Sequence, residues 1–417
     1  MSLSFLANHR PHDVTDQSAV FRADHLRFVT INLIASLFLQ RFGVIAGGSE
    51  FYLCFVVFIA SSCWYVARGS AMVRPEVAML YLLVALVFTA STVLALLFPR
   101  GLGALSITSY VGVLLFNSVF LFASRADDAG DESLRLFLRC ARIICVLGLI
   151  QYALQFAGIR IFTLGDVLPF LRPILVEANY NTEGVVEWGS TLQRANGVVL
   201  LEPGAFSQMI AVALLVDIFL RRVFLFVPLY GVAYVLSYSG TGLLSLGLTL
   251  AISAVIIARQ RKYIVLGVVV ALPLIVMLSF AFPEQIGKLV KRSTEFNVPG
   301  TSGYLRYVAQ AQAWTYFSDG WRALVGTGPG AFERSPVYVM GSGSAAIKLF
   351  AEYGLIGLVT FTTFLITAVW NTRFALLSVM MLVIYQFGGG NLLQPPTLIL
   401  MALLCIWTRG TPADPGE

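Results

Sequence analysis

Residues 77–98 read VAMLYLLVALVFTASTVLALLF, with no charged side chain anywhere in the run. A helix rises 1.5 Å per residue, so this stretch spans a hydrocarbon core of about 30 Å. It is apolar on every face, whereas a membrane β-strand would alternate apolar and polar residues, so a helix is the expected way to satisfy its backbone in lipid. Similar runs recur at Phe28–Ile45, Phe51–Ala67, Ala104–Ser124, Ile143–Gly158, Gly204–Leu220, Val223–Ser237, Leu243–Ala258, Tyr263–Phe282, Ala346–Trp370, Phe374–Phe387 and Leu392–Trp407. The expected fold is therefore an all-α polytopic membrane protein with about twelve transmembrane helices. The whole composition agrees: 58% of residues are hydrophobic and 12% charged, against about 25% charged in soluble domains.

Basic residues set the expected orientation, because short loops rich in Lys and Arg stay in the cytoplasm. Arg68 and Arg74, then Arg125, Arg135, Arg139 and Arg142, then Arg221 and Arg222, then Arg259, Arg261 and Lys262, then Arg373 fall in alternate connections. Both termini are accordingly expected on the cytoplasmic side, with two long, partly helical loops, Ile159–Pro203 and Pro283–Ala345, on the other. The chain reads as one integral membrane domain, residues 1–417. A formal charge of +6 reflects this bias and calls for no nucleic-acid partner. Met1–Arg27 is polar and mixed in charge and lacks the pattern of a cleaved signal peptide. Cys54, Cys63, Cys140, Cys145 and Cys405 lie in or at the inner ends of apolar runs, and no Cys–His cluster suggests a metal.

The two halves of the chain show no similarity and the runs carry few ionisable residues, which argues against a carrier built from repeated halves. Polar material gathers in the two long loops, where function is expected. The first reads IRIFTLGDVLPFLRPILVEANYNTEGVVEWGSTLQRANGVVLLEPGAF from Ile159 to Phe206. Most of its charges, Arg172 among them, read as a solvated face before a functional one. Its tail differs: Arg194, Asn196, Gly197, Glu202 and Pro203 directly precede an apolar helix, with Pro203 suited to the first turn. Glu202 is either a capping carboxylate or an ionised group able to take a proton from a hydroxyl. The second loop holds Lys288, Lys291 and Arg292, then Tyr304, Arg306 and Tyr307, then Trp314, Tyr316 and Trp321, and ends in GTGPGAF from Gly326 to Phe332. Apolar spacing from Tyr304 to Trp321 suggests a surface helix. The glycine stretch lacks the Lys-Ser/Thr of a P-loop. Arginines above apolar helices suit a lipid-linked diphosphate, whose phosphates a planar guanidinium can chelate.

The order Arg194-Ala-Asn-Gly197, Glu202-Pro203, Ser237-Tyr-Ser-Gly-Thr241-Gly242, Arg306 before Trp314, Gly326-Thr-Gly-Pro-Gly330-Ala-Phe332 and Glu352-Tyr-Gly354-Leu-Ile-Gly357 resembles the O-antigen and exopolysaccharide polymerase and ligase superfamily of bacterial inner membranes. Resemblance covers Arg194–Leu358. It implies a metal- and cofactor-independent glycosyltransferase acting at the periplasmic face on undecaprenyl-diphosphate-linked oligosaccharide and polysaccharide, with a chain-length-regulating co-polymerase as a partner. Under it, Arg194 and Arg306 hold the donor diphosphate and steady charge on the leaving group, while Glu202 is the candidate base. Arg172, Asn196, Tyr304, Tyr307, Gly328 and Gly330 are the candidates to line the substrate. Two departures bear on this reading. Ligases of the superfamily carry a His shortly before the Glu-x-Gly segment, where this chain reads Gly341-Ser-Gly-Ser-Ala-Ala-Ile; its only histidines are His9, His12 and His25. Gly240 stands where many relatives have Arg, which weakens a substrate role for Ser239 or Thr241. A polymerase is therefore expected before a ligase or a lipid-linked oligosaccharide flippase. Glu352 reads as a helix-packing residue near a helix start.

Overall fold

A computed structural model describes residues 12–46, 49–99, 102–126, 129–177, 180–186, 190–257, 261–262, 297–299, 301, 304, 308–338, 343–387 and 394–406. The chain is mostly helical, and a helix covers at least part of every apolar run within those residues. The run Tyr263–Phe282 lies outside them. In chain order the helices are α1 (His12–Phe38), α2 (Leu53–Ala67), α3 (Pro75–Leu97), α4 (Ile107–Asn117), α5 (Gly130–Leu154), α6 (Leu164–Val167), α7 (Pro203–Leu215), α8 (Val227–Ser237), α9 (Thr241–Ile256), α10 (Ala309–Phe317), α11 (Arg322–Val325), α12 (Ala345–Val369), α13 (Ala375–Phe387) and α14 (Pro395–Met401). Among the described residues three helical stretches are long and apolar enough to cross a membrane: Pro75–Leu97, Pro203–Leu220 (α7 with the π-turn that continues it) and Ala345–Val369. The other apolar helices run shorter, such as Leu53–Ala67 and Thr241–Ile256.

Two expectations need correction. The fold is not purely helical: β1 (Gly43–Ala46) pairs antiparallel with β2 (Ser49–Tyr52), and β3 (Ala71–Val73) with β4 (Phe122–Ser124). The first pair draws on residue types suited to strands, β-branched Val44 and Ile45 in β1 and aromatic Phe51 and Tyr52 in β2. Nor does the first helix keep to its apolar run Phe28–Ile45, because α1 spans His12–Phe38.

Three helical stretches differ in what they bury. Only 22% of the apolar window of α3 is buried, against 61% for Pro203–Leu220 and 56% for α12. Met79, Leu82, Leu86 and Leu97 of α3 project outward from the protein, an apolar surface larger than isolated exposed residues would make. Its other face packs on α12, where the Phe88 ring lies 3.7 Å from that of Tyr353. Helix α7 forms the centre, against α8, α9 and α5; Gly242 of α9 comes so close that a Cβ there would sit 2.1 Å from the Ser207 carbonyl oxygen.

Segments expected on the same side contact one another. At one end β3 meets β4, Arg142 and Arg221 pair with Asp217, and Arg373 pairs with Asp131 at 2.7 Å. At the other end the α1–α2 connection meets the first long loop, with the Phe42–Leu175 bridge and Val176 N–H donating to Arg41 O at 2.9 Å. There too Ser106 N–H donates to Pro329 O at 2.9 Å, tying the α3–α4 turn to the second long loop.

Candidate functional site

The first long loop rests on Arg41. This side chain is 1% exposed and every nitrogen of its guanidinium donates: Nε and Nη2 to Leu200 O at 3.0 and 2.6 Å, Nη1 to Phe162 O at 2.7 Å, and Nη1 also pairs with Glu177. Glu177 in turn accepts from Leu164 N–H at 3.0 Å and Gly165 N–H at 3.1 Å. A buried ion pair persists when its remaining donors and acceptors are satisfied. Arg41 thus ties both ends of the loop, near Phe162 and near Leu200, to the end of α1. The sequence placed Arg41 only near a span end and gave it no role.

Asn196 is fully buried and its amide is used within the protein. Oδ1 accepts from Gln151 Nε2 at 2.8 Å and Val198 N–H at 3.1 Å, while Nδ2 donates to Thr182 O at 3.1 Å. It supports the loop from inside, which corrects its expected place on the substrate. Arg172 lies at the loop surface, paired with Asp166 at 2.8 Å, and both side chains are 62% exposed.

Arg194 and Glu202 converge on one short turn. Arg194 N–H donates to Gly184 O and its Nε to Val185 O, each at 2.8 Å. Glu202 sits at the N-cap of α7 with Pro203 in the first helical turn, as expected. Its carboxylate does not cap that helix; Oε1 accepts from Asn181 N–H at 3.3 Å. The capping reading of Glu202 is thereby replaced by a bond across to residues 181–185, the turn that also holds Arg194. Both side chains are half-buried. Backbone strain gathers here as well. Val198 at φ 66° and Tyr238 at φ 43° are two of the three non-glycine residues with positive φ among the described residues, and Ala195 N–H donates to Leu236 O at 2.9 Å, bringing the two segments together. Such conformations are costly for a β-branched or bulky side chain and cluster where function requires them. Beneath, a cavity of about 60 Å³ reaches from Gln40, Leu200 and Gln208 down past Met209 to Leu404.

No protein-family model, curated protein or solved structure matches this chain.

In the second long loop, Arg306 and Tyr307, with Lys288, Lys291 and Arg292, lie outside the described residues. Tyr304 is half-buried, and its hydroxyl accepts from Gln312 Nε2 at 3.3 Å. Of the surface helix expected from Tyr304 to Trp321, α10 covers Ala309–Phe317, and its Trp314 stacks on Phe350 of α12 at 4.1 Å.

The glycine-rich stretch fills a break in α12. Gly354 stands at φ 70°, ψ −174°, and the helix is interrupted there. The carbonyls released by the break are taken up by the loop: Thr327 N–H donates to Ala351 O at 3.0 Å and Gly328 N–H to Glu352 O at 2.8 Å. A Cβ on Gly354 would meet Leu324 O at 2.3 Å, and one on Gly326 would meet Glu352 O at 2.3 Å. Gly330 N–H donates to Glu352 Oε1 at 2.8 Å. Gly328 is packed so closely that a Cβ would lie 2.7 Å from Ala95 Cβ. Gly328 and Gly330 are therefore buried joints between loop and helices, which corrects their expected place lining a ligand.

Glu352 also stands elsewhere than expected. It ends the first half of α12, just before the break, where a helix dipole disfavours a carboxylate. Lys348 compensates from one turn earlier, at 3.5 Å, and pairs as well with Glu333. The second oxygen of Glu352, Oε2, has no hydrogen-bond partner among the described residues. Lys348 was legible as a lone cation in an apolar run; Glu333 carried no signal in the sequence.

Proposed function

We propose that the protein is a membrane-embedded polysaccharide polymerase, which transfers a growing glycan from undecaprenyl diphosphate to the sugar of an incoming lipid-linked repeat unit. The observation that carries this reading is that Arg194 and Glu202 each bond to the turn 181–185, at the start of the apolar helix α7. A cation and a carboxylate brought to one turn at such a boundary fit a substrate whose diphosphate is charged and whose tail is dissolved in lipid. The resemblance of Arg194–Leu358 to the O-antigen polymerase and ligase superfamily supports the same assignment.

In the reaction, a hydroxyl of the acceptor sugar attacks the anomeric carbon of the donor. The new glycosidic C–O bond forms as the bond from that carbon to the diphosphate oxygen breaks, and the proton of the hydroxyl passes to Glu202. The diphosphate leaves with its charge held by Arg194 and, from the second loop, Arg306. Guanidinium groups placed where charge develops lower the barrier for an oxocarbenium-like transition state. About twelve spans in a bacterial inner membrane, with both termini cytoplasmic and the site periplasmic, complete the reading. A chain-length-regulating partner would act on the product.

Purified protein incubated with lipid-linked repeat units and no nucleotide sugar should give a ladder of longer lipid-linked products. Movement of the repeat units across the bilayer with no change in glycan length would instead make the protein a flippase. Arg194→Ala and Arg306→Ala should each abolish the ladder while leaving membrane insertion intact. Full activity of Arg306→Lys would remove the bidentate clamp, because lysine supplies charge without the planar fork.

A further inference from the structure

Three aromatic rings beside Arg194 have no role in the chemistry above. Tyr152 lies near the end of α5, Phe156 in the 3-10 turn Gln155–Ala157 that follows it, and Tyr238 at the C-cap of α8. The Tyr152 and Phe156 rings meet edge to face with centroids 5.8 Å apart. The Tyr152 and Tyr238 rings lie nearly parallel, 6.5 Å apart, and their hydroxyls hydrogen-bond. Phe156 is 71% exposed.

Backbone contacts place these rings on both sides of Arg194. Gln155, one residue before Phe156, donates from Nε2 to Gln193 O at 3.0 Å and accepts from Gln193 N–H at 2.8 Å. On the other side, Ala195 N–H donates to Leu236 O, two residues before Tyr238. The segment 193–195 is thus laced between the two elements that carry the rings. Tyr238 holds φ 43°, ψ 35°, a cap conformation ordinarily given to glycine or asparagine, and strain of this kind points to a use for the side chain.

We infer that Tyr152, Phe156 and Tyr238 form a binding surface for a sugar ring of the lipid-linked glycan, next to the diphosphate held by Arg194; the inference rests on the polymerase reading. A sugar ring presents a face of C–H groups rimmed by hydroxyls. The face stacks on an aromatic ring, and the rim meets polar tips such as the two tyrosine hydroxyls. Residues that merely anchor a helix at a lipid boundary would make no distinction between a bare and a glycan-bearing lipid.

The test uses the full chain in lipid nanodiscs and two probes, undecaprenyl diphosphate alone and the lipid-linked repeat unit extracted from cells. Wild type should bind the glycan-bearing probe more tightly. Phe156→Ala and Tyr152→Ala should weaken that probe by about three- to tenfold and leave the bare diphosphate unchanged, while Tyr152→Phe keeps most of the affinity. Tyr238→Gly, which suits the backbone, should lose affinity without loss of thermal stability and so separates binding from folding. Equal binding of both probes by wild type and variants would overturn the sugar surface and leave the diphosphate clamp standing. Weaker binding of the bare probe by Phe156→Ala would assign the rings to the lipid tail and overturn it too. Failure of wild type to bind either probe would remove the polymerase reading and the sugar surface together.

Discussion

Arg41 and Lys348 are both buried cations that tie a long loop to the helices beneath it, yet Arg41 has one acidic partner and Lys348 has two. Around Arg41 the planar fork meets Glu177 and two backbone carbonyls, and Glu177 takes two backbone N–H groups. Every partner is fixed in direction. Lys348 is a point charge between Glu333 and Glu352 that sets no direction for its bonds, and Glu352 Oε2 stays without a hydrogen-bond partner among the described residues. The first loop is therefore held by bonds of set direction, and the second by a point charge beside an interrupted helix.

The comparison breaks most directly at the acids. Glu177→Gln leaves Arg41 buried without a counter-charge and should cost about 3–5 kcal/mol, seen as a large drop in melting temperature in detergent. Gly354→Ala comes next. Its φ of 70° alone costs a non-glycine residue about 1–3 kcal/mol, and the Cβ would also press on Leu324 O; freer proteolysis of the second loop should accompany the lower melting temperature. Glu352→Gln should cost about 1 kcal/mol, because Lys348 keeps Glu333 and Gly330 N–H keeps an acceptor. Equal losses for Glu177→Gln and Glu352→Gln would erase the distinction between the two anchors.

A pH measurement sharpens it further. Burial by itself would raise the Glu333 pKa, but the Lys348 ammonium against it holds the group below its ordinary 4.5. With the folded value below the unfolded one, the stabilisation is complete above pH 4.5 and is lost as pH falls through the folded value. Glu333→Gln should flatten this acid-side decline in melting temperature; an identical slope in wild type and variant would take Glu333 out of the joint. The smallest effect belongs to Arg172→Ala, about 0–1 kcal/mol for an ion pair this exposed. A slower product ladder without a change in melting temperature would then assign Arg172 to the substrate.

Much of the fold was legible because a helix in an apolar run needs no partner to satisfy its backbone. The first turn of α7 was legible for a similar local reason: proline at its start lacks the N–H that would go unpaired. The site was legible in part. Arg194 and Glu202 could be singled out, but their meeting on residues 181–185 depends on the loop folding back upon itself. Asn196, Gly328 and Gly330 looked like ligand contacts and are interior joints, since a polar amide or a glycine carries the same signal for either duty. Gly354 and Gly357 look alike in sequence; only Gly354 breaks α12, because the segment 324–328 crosses there and takes up the released carbonyls.

By itself the sequence determined that this chain is mostly helical, where its apolar segments lie, and that its polar chemistry gathers in two long connections. These follow from hydropathy and backbone hydrogen bonding, which act over a few turns of helix. Only the tertiary structure decided that Arg41 closes the first loop at both ends, that the glycine-rich stretch fills a broken helix, and that three aromatic rings flank Arg194. Each of those depends on residues far apart in the chain, whose desolvation is tolerable only once all of their partners are in place.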